Sequence, residues 1–182
     1  MTPSTMTRDE QHFATRLRRD LRSDHAGEFG AVAIYTGVLA AARDPGVRAF
    51  ALRHQATEAD HLARILAILP RNGRSRLAPL WWVAGFFTGF LPALAGPRAV
   101  YLTIAAVERF VDRHYQDQID LLEGRADHAA LRDLLLSCQA DEQHHRDEAT
   151  ELAAAPAGWA GRLWGGLVFH GSAAAVVAAR RF

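Results

Sequence analysis

The sequence predicts an all-α fold, a four-helix bundle with an apolar crossover segment and an extra C-terminal helix. Three observations predict it. Glycine and proline cluster at Asp44-Pro45-Gly46, Pro70-Arg71-Asn72-Gly73, Gly96-Pro97 and Glu123-Gly124, cutting the chain into helix-length pieces. No piece alternates apolar and polar residues as a half-buried strand would. The spacing Glu-x-x-His occurs twice, as Glu58-Ala59-Asp60-His61 and Glu142-Gln143-His144-His145, each following a lone glutamate one helix earlier, Glu28 and Glu108.

The elements follow from this punctuation. A first helix is expected from about Thr7 to Arg43, and a second from there to Leu69, making a hairpin over residues 7–69. Residues 73–96 form an apolar crossover. A third helix starts at Pro97, a favoured first-turn residue, and ends near Glu123-Gly124. The fourth spans about Ala126 to Ala154, closing a second hairpin over 97–155, and an apolar C-terminal helix covers 158–181. At 182 residues all of this reads as one domain large enough to bury a core.

The doubled spacing carries chemistry. Residues three apart on a helix lie roughly 60° apart around the axis and about 4.5 Å along it, so both side chains can converge on one ion. Glutamate supplies hard oxygen donors that can bridge two ions, and each histidine supplies one neutral nitrogen. Four carboxylates and two imidazoles so arranged are the ligand set of a two-metal site inside a four-helix bundle. Two hairpins joined by one long crossover give the ferritin-like order of helices, and the glutamates and histidines recur in that order. Metals that change oxidation state, iron or manganese, suit such donors, whereas zinc has no redox chemistry.

Composition narrows the classes. The formal net charge is +1, which argues against a general nucleic-acid binder. The single Cys138 excludes an internal disulfide framework and fits a reducing compartment. Met1–Glu10 is short and polar, without the pattern of a secretory or organelle leader. The crossover is the unusual part. From Leu77 to Leu94 it is apolar almost all round, with Trp81-Trp82 near one end and Arg71, Arg74, Arg76 and Arg98 flanking it. Such a segment can be a buried core helix, a helix lying in a membrane surface, or a borderline span, and the sequence leaves all three open. The closing helix, with Leu167, Val168, Phe169, Val176 and Val177, could extend the same apolar surface.

Several strings resemble a known family. Asp24-His25-Ala26-Gly27-Glu28-Phe29-Gly30-Ala31, Glu58-Ala59-Asp60-His61, Val107-Glu108, His114-Tyr115-Gln116-Asp117-Gln118-Ile119 and Asp141-Glu142 with His145-Arg146-Asp147 are similar to the demethoxyubiquinone hydroxylase family of ubiquinone biosynthesis. The resemblance runs from about Arg18 to the C-terminus. It implies a bacterial di-iron monooxygenase that hydroxylates the ring of demethoxyubiquinol with dioxygen. It also implies two Fe ions per chain, NADH as reductant, and peripheral association with the cytoplasmic face of the cell membrane. The metal ligands it implies are Glu28, Glu58, His61, Glu108, Glu142 and His145, all matched here. Glu58 and Glu142 would bridge, with Glu28 and His61 on one ion and Glu108 and His145 on the other. The sequence departs from animal relatives in the last helix, where an Arg and a Tyr thought to hold the nicotinamide appear as Ala173 and Val177. Arg19 and Arg181 remain as NADH contacts.

Around the ligands, His114 and Tyr115 follow Glu108 by nearly two turns and could form a relay or a supporting layer. Asp60 and Asp141 adjoin ligand positions and are candidates to support the ligating histidines, but neighbours on a helix point about 100° apart, which favours a solvated or inter-helix polar role. His25 is ambiguous; His12, His54, His128, His144 and His170 read as surface or packing residues, and Cys138 as an inert buried thiol. The alternative readings are a ferritin- or rubrerythrin-like peroxidase or metal-storage protein, and a quinone-binding scaffold without catalysis. Hydroxylation of a transfer-RNA nucleoside would need a basic face that the near-neutral charge does not suggest. No nucleic acid is expected as a partner; a lipid quinone is. The assembly, a homo-oligomer or a ubiquinone-biosynthesis complex, is left open.

Overall fold

The computed structural model describes residues 7–182 and is all-α. The leader reading of Met1–Glu10 falls partly on residues 1–6, outside the described residues. Six α-helices follow one another: α1 (Arg8–Ala41), α2 (Pro45–Ile68), α3 (Ala78–Ala95), α4 (Pro97–Leu121), α5 (Ala129–Leu152) and α6 (Trp159–Ala179). Among the described residues there is no strand. Residues 126–128, read as the start of the fourth helix, form a separate 3₁₀ turn before α5.

Local chemistry sets the ends. Thr7 and Glu10 form a reciprocal capping box on α1, so two of its orphan N–H groups are satisfied. Asp44 caps α2 by accepting the Val47 N–H at 2.9 Å, with Pro45 at the first turn. Gly96 both ends α3 and precedes α4 at φ 109°, a backbone state in which a Cβ would be strained.

Helix pairing shows a repeat of three helices rather than two. In the first half α2 lies back along α1 and α3 packs on α1; in the second, α5 lies along α4 and α6 packs on α4. The C-terminal helix is therefore the counterpart of the crossover. The α1–α3 contact is unusually close. A Cβ added at Gly89 would sit 1.9 Å from the Ile34 carbonyl oxygen, and one at Gly85 would sit 2.3 Å from that of Gly30. From the other side, a Cβ on Gly37 would meet the Phe86 carbonyl oxygen at 2.0 Å. Small residues at i and i+4 thus let two backbones touch, the device that also joins helices in membranes.

That contact uses only one face of α3. Trp81, Gly85, Gly89 and Ala93 are buried, while Leu80, Val83, Phe87, Leu91 and Leu94 are exposed, Leu94 at 65%. α6 exposes Trp159, Leu163 and Leu167 at i, i+4 and i+8. The crossover is neither a core helix buried all round nor fully free; by length and composition it could cross a membrane. The main core, with Tyr35, Phe50, Tyr101 and Ile104, packs between the hairpins and takes in Ala93 of α3 and Val168 of α6.

Candidate metal centre and its cavity

Each helix of the two hairpins sends side chains to one buried point. α1 brings Glu28, α2 Glu58 and His61, α4 Glu108, and α5 Glu142 and His145; none is more than 4% exposed. Their donor atoms form two groups that could each hold an ion: Glu28, Glu58, His61 and Glu142 in one, Glu58, Glu108, Glu142 and His145 in the other. Within each group the donors lie within 4.8 Å of one another. Glu58 and Glu142 belong to both.

The donor set itself shows what is missing from a purely proteinaceous site. Glu28 Oε2, Glu58 Oε1, Glu142 Oε2 and His145 Nδ1 are buried and make no hydrogen bond. Buried polar atoms are otherwise nearly always paired, so four orphans aimed at one gap fit cations better than a dry core. Burial, reinforced by the neighbouring carboxylates, holds Glu58 and Glu108 well above the usual carboxylate range. Burial acts on Glu142 in the same direction, but the adjacent imidazoles of His145 and His61 overcome it and lower that group to about 2. His61 is raised to about 12: burial disfavours its charged form, but Glu142 and Glu28 outweigh burial. Without metal, the pocket thus shares protons and an imidazolium to offset its own negative charge.

A second layer surrounds the donors. Tyr115 donates its hydroxyl to Glu28 Oε1, and Tyr35 donates to Glu108 Oε1 at 3.4 Å. Tyr35 escaped the sequence reading, yet it follows Glu28 by seven residues just as Tyr115 follows Glu108. His114 does not reach the donors; its Nε2 lies 3.0 Å from Asp24 Oδ1 and 3.2 Å from Ser23 Oγ, with Gln118 closing the network. Asp141, read as a solvated or inter-helix polar residue, does reach across helices and holds His61 Nε2 at 3.0 Å while its side chain stays half-exposed. The 100° offset turns it from its own helix's ligand to one on α2. Asp60 behaves as read, exposed beside Arg64.

His54, read as a surface or packing residue, packs directly against one of the donors. It is buried, stands edge-on to the His145 ring with centroids 4.0 Å apart, and pairs with Glu148 Oε2 at 2.7 Å. Burial, with the charge of His145, lowers it to about 4 against the opposing pull of Glu148. Its spacing, one turn before Glu58, was the available signal. Cys138 is buried and free, its thiol raised to about 11 by burial. His25 is buried and accepts the Ser75 N–H at 3.4 Å, away from the donors. Arg19 and Arg181 are both exposed and do not line the cavity. Arg180 instead pairs with buried Asp20 at 2.8 Å.

A cavity of about 590 Å³ reaches the donors. Glu28, Glu58, Glu108 and Glu142 form its inner end. Its walls are small or apolar, from α1 (Gly30, Ile34), α3 (Ala84, Gly85) and α6 (Val168, Ala175), and the exposed Leu80 and Leu167 also line it. The arrangement can present an apolar, water-poor molecule to a buried polar cluster.

Comparison with known proteins agrees with this chemistry. The chain is 39% identical over 137 residues to a 3-demethoxyubiquinol 3-hydroxylase of Rhodospirillum rubrum, covering 74% of this chain and 64% of the relative. It is 34% identical over 155 residues to the enzyme of that name in Variovorax paradoxus, covering 84% and 72%. A mitochondrial NADPH-dependent 3-demethoxyubiquinone 3-hydroxylase of Mus musculus is 33% identical over 187 residues, covering 98% and 83%. The chain thus spans less than two thirds of the length of the Rhodospirillum relative. Residues 15–179 match the family described as ubiquinone biosynthesis protein COQ7, and the chain belongs to that family.

Proposed function

We propose that this chain is a di-iron monooxygenase that hydroxylates the ring of demethoxyubiquinol, with dioxygen as oxidant and electrons from a nicotinamide cofactor. The observation that carries the reading is the cavity that joins an exposed apolar helix face to a buried cluster of four glutamates and two histidines. A storage protein needs the cluster but has no use for the cavity.

Glu28, Glu58, His61, Glu108, Glu142 and His145 would hold two iron ions, with Glu58 and Glu142 shared between them. Bound there, the ions supply the activation of dioxygen and the exchange of electrons. The protein's own part is positioning. Tyr115 and Tyr35 fix one oxygen each of Glu28 and Glu108, leaving the others free for the gap. Apolar side chains around the cavity exclude bulk water and leave room for the quinol ring beside the carboxylates. The isoprenoid tail would leave between α3 and α6.

Tail exit at that place calls for a bilayer there. Residues 61–107 and 152–182, which contain α3 and α6, include no Asp or Glu and eight Arg. Acid-free apolar helices rimmed by Arg suit the surface of an anionic membrane, and peripheral binding at the cytoplasmic face follows. NADH is the reductant we favour, on the sequence resemblance; the mouse relative's name specifies NADPH.

Anaerobically iron-loaded protein, demethoxyubiquinol in vesicles, NADH or NADPH and ¹⁸O₂ provide the test. Incorporation of one ¹⁸O atom into the quinol ring is expected. Iron oxidation that turns over while the quinol stays unmodified would instead establish the peroxidase or storage reading.

A further inference from the structure

The two halves of the centre are built from a duplicated sequence, yet their supports differ. Both imidazoles turn Nδ1 toward the carboxylates: His61 Nδ1 lies 3.1 Å from Glu142 Oε1, and His145 Nδ1 lies 3.1 Å from Glu58 Oε1. Nε2 therefore faces outward in each ring. In the first half it meets Asp141 Oδ2 at 3.0 Å. That carboxylate fixes the proton on Nε2, leaves the Nδ1 lone pair for an ion and strengthens it as a donor. In the second half, among the described residues, no carboxylate pairs with His145 Nε2. The position matching Asp141, immediately before the helix's glutamate, is Thr57, and the ring rests against neutral His54 instead.

The terminal glutamates differ in the same sense. Tyr115 holds Glu28 closely, whereas Tyr35 reaches Glu108 only at 3.4 Å. Both terminal ligands of the first half are held by a partner on another helix, and those of the second half are held loosely.

We infer that the two metal positions are inequivalent, with Glu28, Glu58, His61 and Glu142 forming the tight position that fills first and Asp141 acting as its positioning residue. The inference rests on the two-ion reading above. Losing such a support typically lowers metal affinity 10–100-fold. It also follows that the looser Glu108–His145 position is the one emptied first under chelation.

Anaerobic titration of the metal-free protein with Co²⁺, followed by visible absorption and by equilibrium dialysis, tests this without any turnover. His145→Ala should retain one ion at the affinity of the wild-type first step, and His61→Ala one ion bound at least 10-fold more weakly. Asp141→Asn should weaken the first step 10–100-fold, while Asp60→Asn, which removes an exposed charge immediately before His61, leaves it unchanged. Circular dichroism checks that each variant is folded. Equal affinities in His61→Ala and His145→Ala, or an Asp141→Asn curve matching Asp60→Asn, would overturn the inequivalence and leave the two-ion reading intact. Saturation of the wild type below two ions per chain would overturn the reading itself.

Discussion

Tyr115 on α4 donates its hydroxyl to Glu28 on α1, across the gap between the two hairpins. Tyr35 on α1 returns the contact to Glu108 on α4. Each tyrosine stands seven residues after a glutamate, two helical turns, so glutamate and tyrosine share a face and the pairs cross over. Both phenols are raised well above their ordinary range, by burial first and by the surrounding carboxylates, and so stay donors.

Removing the shorter contact should matter more. Tyr115→Phe leaves Glu28 Oε1 buried without a donor, a loss of about 1–3 kcal/mol in the metal-free protein by urea unfolding. Tyr35→Phe should lose less than about 1 kcal/mol, because its bond is long.

Metal loading should expel protons. His61 is raised to about 12, and Glu58 and Glu108 are held well above the usual carboxylate range, so the metal-free site holds protons more tightly than free side chains would. Coordination requires their deprotonated forms. Adding Fe²⁺ anaerobically at pH 7 in weak buffer should therefore acidify the solution, and a dye or pH-stat reading of no release would contradict the charge state described.

The part of the metal-free chain's stability that comes from His54 should fall as acid is added. His54 is lowered to about 4, below its ordinary 6.5, so the unfolded chain binds more protons between those values. Its contribution is complete above about pH 6.5 and is lost as pH falls through 4, at most about 3 kcal/mol. His54→Gln keeps a donor for Glu148 and should flatten this part of the pH profile in denaturant titrations.

Gly89→Val should separate α3 from α1. A Cβ there would lie 1.9 Å from a backbone oxygen, which no rotamer relieves. We expect a loss of about 3 kcal/mol or more, in the range reserved for core disruption, read as a lower thermal midpoint.

Membrane binding should depend on the outer face of α3. Phe87→Asp with Leu91→Asp places charge on two exposed positions and leaves the glycine contact untouched. Co-sedimentation with vesicles rich in anionic lipid should drop at least tenfold, with unchanged helical circular dichroism.

The six donor residues were legible because duplication repeats them: Glu28 with Glu108, and Glu58-x-x-His61 with Glu142-x-x-His145. Helix periodicity turns that spacing into shared direction without any knowledge of the partner helices. Tyr35 was equally present in the repeat, hidden only because its counterpart was recognised through a different string. The partners of Asp141 and His54 were not legible. Those partners, His61 on α2 and His145 on α5, lie 80 and 91 positions away, and no rule of helical spacing reaches that far.

By itself, then, the sequence determined the all-α class, the order of helices and the residues that converge, because each depends on local punctuation and a period of 3.6 residues. Tertiary structure alone decided that α6 matches α3, that one face of the crossover is closed by glycines and the other left open, and that the two halves of the site are supported unequally. Those are relations between helices. They arise from which surfaces meet when the hairpins close, and a single helix carries no record of its neighbour's outward-facing side chains.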